Sequence, residues 1–162
     1  MSVSFVDLSK NSTLYKKFGI EAGWRFGMYR TARFGDLDAL AHLNHTSYLR
    51  YFEDCRLQYL IHHGLTNIRN CSPDHPTPVL LGLEIKYLSP VHHCDELFVT
   101  TRCIKIGNTS MTLEYAAWKQ GCAAWCTRPF VLMIPSKAIK WKINENMKES
   151  IVKFEPNKVA VS

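Results

Sequence analysis

The order of elements predicts an α+β domain: one long helix packed on a mostly antiparallel sheet of five strands. Three observations carry this. Residues 46–63 hold an extended stretch of helical spacing, residues 24–34 alternate with a period of two, and four more strand-like runs follow between residues 81 and 134 with short breaks between them. A length of 162 residues suits a single domain, 1–162, large enough to bury a core without disulfide or metal staples.

Residues 1–20 are mixed and polar and read as a loose N-terminal arm or a short helical turn. In residues 24–34, Trp24, Phe26, Met28, Ala32 and Phe34 point one way, and Arg25, Tyr29, Thr31 and Arg33 the other. Gly35 breaks the pattern, and the segment 36–45 reads as a loop with helix-start signals, Asn44 or Thr46 serving as the N-cap. In the helix, Tyr48, Phe52, Cys55 and Tyr59 share a face widened by Leu49, Leu60 and Ile61, and Gly64 supplies the stop. Residues 65–78, with Asn67, Asn70, Ser72 and three prolines, have loop chemistry. Strands are expected over 81–88, 96–106, 109–119 and 122–134, with Gln120-Gly121 as a hairpin turn. Pro129 inside the last run calls for a bulge or an edge position. The C-terminal tail, 136–162, is expected to be helical as far as Phe154. One amphipathic helix cannot cover both faces of such a sheet, so a partner subunit is expected to bury the rest.

Composition removes several function classes. Hydrophobic residues make up 46% and charged residues 21%, an ordinary globular balance. The first residues show no basic start followed by an apolar core, and no apolar run is long enough to span a bilayer, so the expected location is cytoplasmic. Six cysteines lack a CxxC or a regular framework and are expected to be reduced. The net charge of +6 favours an anionic partner, but the basic residues are scattered and carry no nucleic-acid-binding signature. Coenzyme A or an acidic carrier protein fits that charge. His62-His63 and His92-His93-Cys94 lack the spacing of a metal site, so neither a metal nor another cofactor is expected.

The informative stretch runs from Arg33 to Arg56. It places Asp36, Asp38, His42, Asn44 and His45 in a loop that opens a helix. A helix N-terminus offers free N–H groups and a positive dipole end, which stabilise a carbonyl oxygen gaining negative charge. A carboxylate beside it serves as general base or nucleophile. Acyl transfer to water needs these parts.

The pattern D-x-D-x-x-x-H-x-N-x-x-Y, followed by Tyr-Phe-Glu-x-x-Arg, resembles the 4-hydroxybenzoyl-CoA and tol-pal-associated acyl-CoA thioesterases of the hot-dog superfamily. The strong match covers roughly residues 30–64. The resemblance implies a hot-dog fold, a homodimer or homotetramer with its site at the subunit interface, and hydrolysis of an acyl-CoA or acyl-carrier-protein thioester. It implies Asp38 as the catalytic carboxylate and the backbone N–H of His45 as the group that polarises the thioester carbonyl; some members carry a catalytic histidine there as well. His42, Asn44 and Tyr48 are the candidate substrate-binding residues, with Asp36 holding the loop. On charge alone, Arg33, Arg50 and Lys86 are available to the phosphates of coenzyme A. Two departures stand out: Ala41 replaces a usual glycine, and Phe34 replaces a tyrosine of some members.

Two other readings stand beside this one. A hydratase or dehydratase of acyl thioesters would use His45 with Glu53, which otherwise pairs with Arg56 three residues on. A non-catalytic acyl-CoA-binding protein would keep the fold without the chemistry.

Overall fold

The computed structural model describes residues 5–67 and 72–162; Asn70 and Cys71 of the expected loop lie outside the described residues. The described residues contain β1 (Val6–Asp7), α1 (Thr13–Phe18), β2 (Phe26–Thr31), α2 (His45–His62), β3 (Thr77–Leu80) and β4 (Glu84–Tyr87). They continue with β5 (Glu96–Ile106), β6 (Ser110–Trp118), β7 (Cys122–Ile134), β8 (Ile139–Lys140), α3 (Glu145–Phe154) and β9 (Ala160–Val161). One sheet runs β1-β2-β5-β6-β7-β3, with β4 and β8 also paired to β7 and β9 to β5. Every pairing is antiparallel except β5 with β9. The five expected strands form the body of this sheet, extended by short pieces whose signals are too brief to read from sequence.

α2 lies across one face of the sheet. Its buried residues Tyr48, Phe52, Cys55, Tyr59 and Leu60 pack on Leu97, Val99, Leu113, Tyr115 and Ala117. Asn44 is the N-cap, its Oδ1 accepting the Thr46 N–H at 2.9 Å. Gly64 follows the helix at φ +70°, a conformation that suits a residue without Cβ.

The opposite face departs from expectation. The sequence leaves it to a partner subunit, yet Leu8, Leu14, Phe18, Ile20 and Trp24 cover Phe98, Ala116 and Trp118 there. Residues 97 and 99 of β5 face α2 while Phe98 faces this second cluster, which is the period-two alternation of a strand. The N-terminal segment is therefore a packed layer, not a loose arm. Tyr15 Oη fastens it by donating to the Trp24 carbonyl at 2.5 Å.

Three other readings need correction. Phe34, read as part of the buried face of a strand, sits in a 3-10 turn after β2 and is 81% exposed. The strand expected over 81–88 forms only as β4, Glu84–Tyr87; residues 81–83 break it from β3, which starts at Thr77 inside the stretch read as a loop. Pro129 sits opposite that break. It lacks the N–H a continuous neighbouring strand would need, while its carbonyl still accepts from the Leu81 N–H at 3.0 Å. The tail is helical only from Glu145, where Asn144 Oδ1 accepts the Met147 N–H at 2.8 Å. The breaks after β5 and β6 fall as expected, and β7 spans 122–134 as read. No helix among the described residues is long and apolar enough to cross a membrane.

Candidate active site

The loop between β2 and α2 is tied to itself, to α2 and to the segment after β4. The Asp38 N–H donates to the His42 carbonyl at 2.8 Å, and the Asp38 carbonyl accepts the Ala41 N–H at 3.1 Å. Closing so tight a turn needs one residue in the left-handed region, and Ala41 takes it at φ 58°. The position that usually holds glycine thus keeps a glycine-like conformation. The Leu43 N–H donates to the Val91 carbonyl at 2.7 Å, docking the loop on the segment after β4.

Within the turn, Asp38 Oδ1 accepts the N–H groups of Leu40 at 2.8 Å and His42 at 3.2 Å. Both bonds fall on one oxygen, which leaves Oδ2 for other work. Asp36 is engaged differently. Its Oδ2 accepts from Tyr51 Oη at 2.7 Å and the Arg33 N–H at 3.0 Å, and its carbonyl accepts the Asn44 N–H and Ser47 Oγ. Burial and this carboxylate push the Tyr51 phenol well above its ordinary value. Asp36 thereby pins the loop to the first turn of α2.

His45 is the first residue of α2, so its N–H has no acceptor within the helix. Asp38, His42, His45 and Tyr48 line one open cavity of about 460 Å³, whose facing wall is residues 87–91. Tyr48 and Tyr87 approach across it with ring centroids 5.5 Å apart. Burial pushes the Tyr48 phenol up to about 12, so at neutral pH it is a hydrogen-bond donor and not an anion. Leu43, Leu88, Pro90 and Val91 make the remaining wall apolar.

The structure therefore brings together four of the five residues singled out for the site. Asn44 stays off the cavity wall, its Oδ1 taken by the N–H and Oγ1 of Thr46. Glu53 is also elsewhere, its Oε1 accepting from Arg56 Nη2 at 2.8 Å. The cations considered for phosphate binding do not converge on the cavity. Lys86 lies over the Trp125 ring at 5.4 Å, and Arg33 lines a separate depression with Tyr29, Arg30 and Asp54. Sequence reasoning missed the wall at 87–91 as part of the site. Ser89-Pro90 marks the end of a strand there, but nothing local to those residues signals chemistry.

The described residues contain no group of three His, Cys, Asp or Glu side chains arranged to hold a metal ion. His62 and His63 pack instead on the ring of Phe154, with centroids 5.2 and 4.9 Å from it.

Comparison with known proteins places this geometry. The model of the thioesterase superfamily matches residues 40–126. A crystal structure from Jannaschia sp. CCS1, described as of the thioesterase superfamily, is 30% identical, with 93% of each chain covered and a TM-score of 0.82. Two more distant structures share the fold. One is a thioesterase from Thermus thermophilus complexed with coenzyme A and zinc, 24% identical over 85% of this chain and 99% of that one, TM-score 0.68. The other is a gentisyl-coenzyme A thioesterase, 17% identical over 76% of this chain and 98% of that one, TM-score 0.67. A search of curated proteins returned no match. The matched model spans more than half of the chain and includes the end of the loop, from Leu40, and all of α2, and on that ground the protein belongs to the thioesterase superfamily, with its hot-dog fold.

Proposed function

We propose that the protein is an acyl-CoA thioesterase of the 4-hydroxybenzoyl-CoA and tol-pal-associated type, hydrolysing a thioester to a free acid and coenzyme A. The observation that carries this reading is that Asp38 and the N-terminal residue of α2 face one cavity. The thioester carbonyl oxygen points at the His45 N–H, where the helix dipole and the free donor stabilise the charge that develops on attack. Asp38 Oδ2 either takes a proton from the attacking water or attacks the carbonyl carbon to form an anhydride that water then opens. In both routes the C–S bond breaks and the thiolate leaves to be protonated. Tyr48, Tyr87 and the apolar wall hold the acyl and pantetheine portions, and His42 lines the same wall.

The hydratase reading needs Glu53 in the site, and its engagement with Arg56 outside the cavity argues against that. The non-catalytic reading rests on Ala41, which preserves the left-handed turn, and on Phe34, which points into solvent.

The working form is a homodimer. Leu80, Leu81, Leu83, Tyr87 and Leu88 are exposed along β3, β4 and the flanking residues, beside the cavity wall at 87–91. A second copy packed on this edge buries them and completes the wall. Light scattering at micromolar concentration should report two subunits or a multiple; a monomer would remove this part of the reading. The activity is tested by thiol release from acyl-CoAs of varied chain length and ring content. Thiol release that Asp38→Asn abolishes supports hydrolysis at this site, whereas enoyl-CoA hydration without thiol release would favour the hydratase.

A further inference from the structure

The turn at residues 91–95 sits behind the loop that carries Asp38, and beyond Val91 no role has been given to its side chains. Its backbone is anchored on both sides. The Val91 carbonyl accepts the Leu43 N–H at 2.7 Å, the Cys94 N–H donates to the Ala32 carbonyl at 2.9 Å, and the Ala32 N–H donates to the Asp95 carbonyl at 3.0 Å. Two side-chain contacts cross from this turn to the loop, and one is His93 edge to face on the exposed ring of Phe34, with centroids 6.0 Å apart. In the other, the imidazole of His42 meets that of His92 edge to face, with centroids 5.2 Å apart and planes at 76°.

Each partner in that contact is tied further along. The His92 N–H donates to Asp95 Oδ2 at 2.7 Å, and the His92 ring nitrogen Nδ1 lies 3.8 Å from the same oxygen. Lys119, from the turn between β6 and β7, grips that oxygen at 2.5 Å. Lys119 and the His92 N–H hold the Asp95 carboxyl below its ordinary value against a burial cost, so Asp95 is an anion at neutral pH. On the other side, the main chain of His42 is bonded twice to Asp38, through its N–H to Oδ1 and its carbonyl to the Asp38 N–H.

We infer that His92 is a positioning residue for the hydrolysis: its ring, carried on a backbone that Asp95 holds through the His92 N–H, supports the ring of His42 and so sets the direction of the Asp38 carboxylate. The inference rests on Asp38 being the catalytic carboxylate. His92 does not line the cavity, so its effect falls on the placement of Asp38 and not on substrate affinity. A misplaced reacting group loses rate steeply with distance, and even a fraction of an ångström is felt.

The test compares His92→Ala, His92→Phe and Asp38→Asn on one acyl-CoA. His92→Ala should lower kcat about tenfold with KM within about twofold. Its Tm should stay within about 2 °C, because His92 is half-exposed. His92→Phe keeps an aromatic ring for His42 to meet and should restore most of kcat. Hydrogen exchange gives a reading without substrate: the Leu40 and His42 amides that donate to Asp38 should exchange about tenfold faster in His92→Ala and return toward wild type in His92→Phe. Unchanged kcat or unchanged exchange in His92→Ala overturns the inference, as does a Phe variant no better than the Ala variant. A dead Asp38→Asn with a fully active His92→Ala removes only the positioning role, whereas an active Asp38→Asn removes the catalytic reading beneath it.

Discussion

At the N-terminal end of α2, Asp38 lies on an open loop, and its Oδ1 accepts two backbone N–H groups. At the C-terminal end, Glu155 is 8% exposed, and its Oε1 accepts from Tyr59 Oη at 2.5 Å and the Cys103 N–H at 2.8 Å. Each carboxylate takes two hydrogen bonds on one oxygen, but their surroundings differ. Glu155 is enclosed by Tyr59, Cys103 and the residues of α3, and burial pushes its carboxyl up to about 7, against the pull of its hydrogen bonds and of Arg102 and Arg25. Nearby His63 is driven down to about 3 by burial, with His62 and Arg25 adding to it. Asp38 faces a cavity. The strongly shifted carboxylate and imidazole are thus at the closed end of the helix, and the proposed catalytic carboxylate is at the open one. A shifted pKa is a pointer to function only where a substrate can reach the group.

Glu155 has a structural task. Cys103 pairs with Leu113 of β6 beside a register irregularity, and it lies beyond the end of the β2 pairing at Thr101. Glu155 accepts the Cys103 N–H and ties the end of α3 to α2 through Tyr59. Substitutions at the two ends should therefore separate activity from stability.

The largest effect is expected at the open end. Asp38→Asn keeps the size of the side chain and the acceptor for the Leu40 and His42 amides but removes the base. Turnover should fall about 10²- to 10⁴-fold, with little change in Tm. Near wild-type thiol release would place the chemistry elsewhere and dissolve the contrast between the two ends.

Glu155→Gln should do the reverse, leaving kcat unchanged and altering the pH dependence of stability. The folded-state value of about 7 lies above the ordinary 4.5. Between those values the unfolded chain has lost the proton and the folded one keeps it, so this group's contribution to stability falls as pH rises through that window and is flat above it. The full change is about 3 kcal/mol at 1.36 kcal/mol per unit. His63 acts in the opposite sense, since its depressed value makes stability rise with pH between about 3 and 6.5. Wild type alone therefore mixes two slopes. The difference in denaturant stability between Glu155→Gln and wild type isolates Glu155: the variant should gain on wild type from pH 5 to pH 8. A constant difference over that range would mean Glu155 is ionised throughout.

A smaller effect is expected at His45. If the N–H of the first helical residue does the work, His45→Gln keeps it, and turnover should stay within about tenfold of wild type. A loss above about 10²-fold, with folding intact, would match a missing acid–base group and give the imidazole a role of its own.

The legible parts of the molecule are those whose signals are local. Asn44 and Gly64 bracket α2, Gln120-Gly121 turns β6 into β7, and Asp38, His42 and His45 are close enough in sequence to share one loop and helix start. What sequence reasoning missed depends on distant residues. The alternation over 81–88 is continuous in sequence, but Pro129, over 40 residues on, faces the point where the strand breaks. Phe34 follows the period of β2, yet the 3-10 turn at Phe34–Asp36 removes it from the buried face. Only Leu14 and Phe18, one turn apart, fall in a helix of six residues, with Leu8 and Ile20 outside it, and only the face of β5 and β6 that all four cover explains their burial. The cavity wall at 87–91 and the ring of His92 meet the loop through tertiary contacts alone.

The smallest expected effect concerns Ala41, and it tests how the open end holds its shape. At φ 58° an alanine Cβ crowds its own backbone, at a cost of about 1–2 kcal/mol. Ala41→Gly removes that cost, but glycine gives the unfolded chain more freedom, which returns about 0.5–1 kcal/mol. The side chain is exposed, so no packing is lost. The net result should be a gain of at most about 1 kcal/mol, read as a slightly higher Tm. kcat should stay within about twofold, because the amides of Leu40 and His42 still reach Asp38. Ala41→Val carries the opposite expectation. A β-branched residue is poorly tolerated at positive φ, so the turn must open, moving both amides off Asp38 and lowering turnover together with Tm. If valine were accepted without loss of either, the loop would hold Asp38 by its docking on Val91 and the anchoring of Asp36 on α2, and the left-handed turn would be incidental to the chemistry.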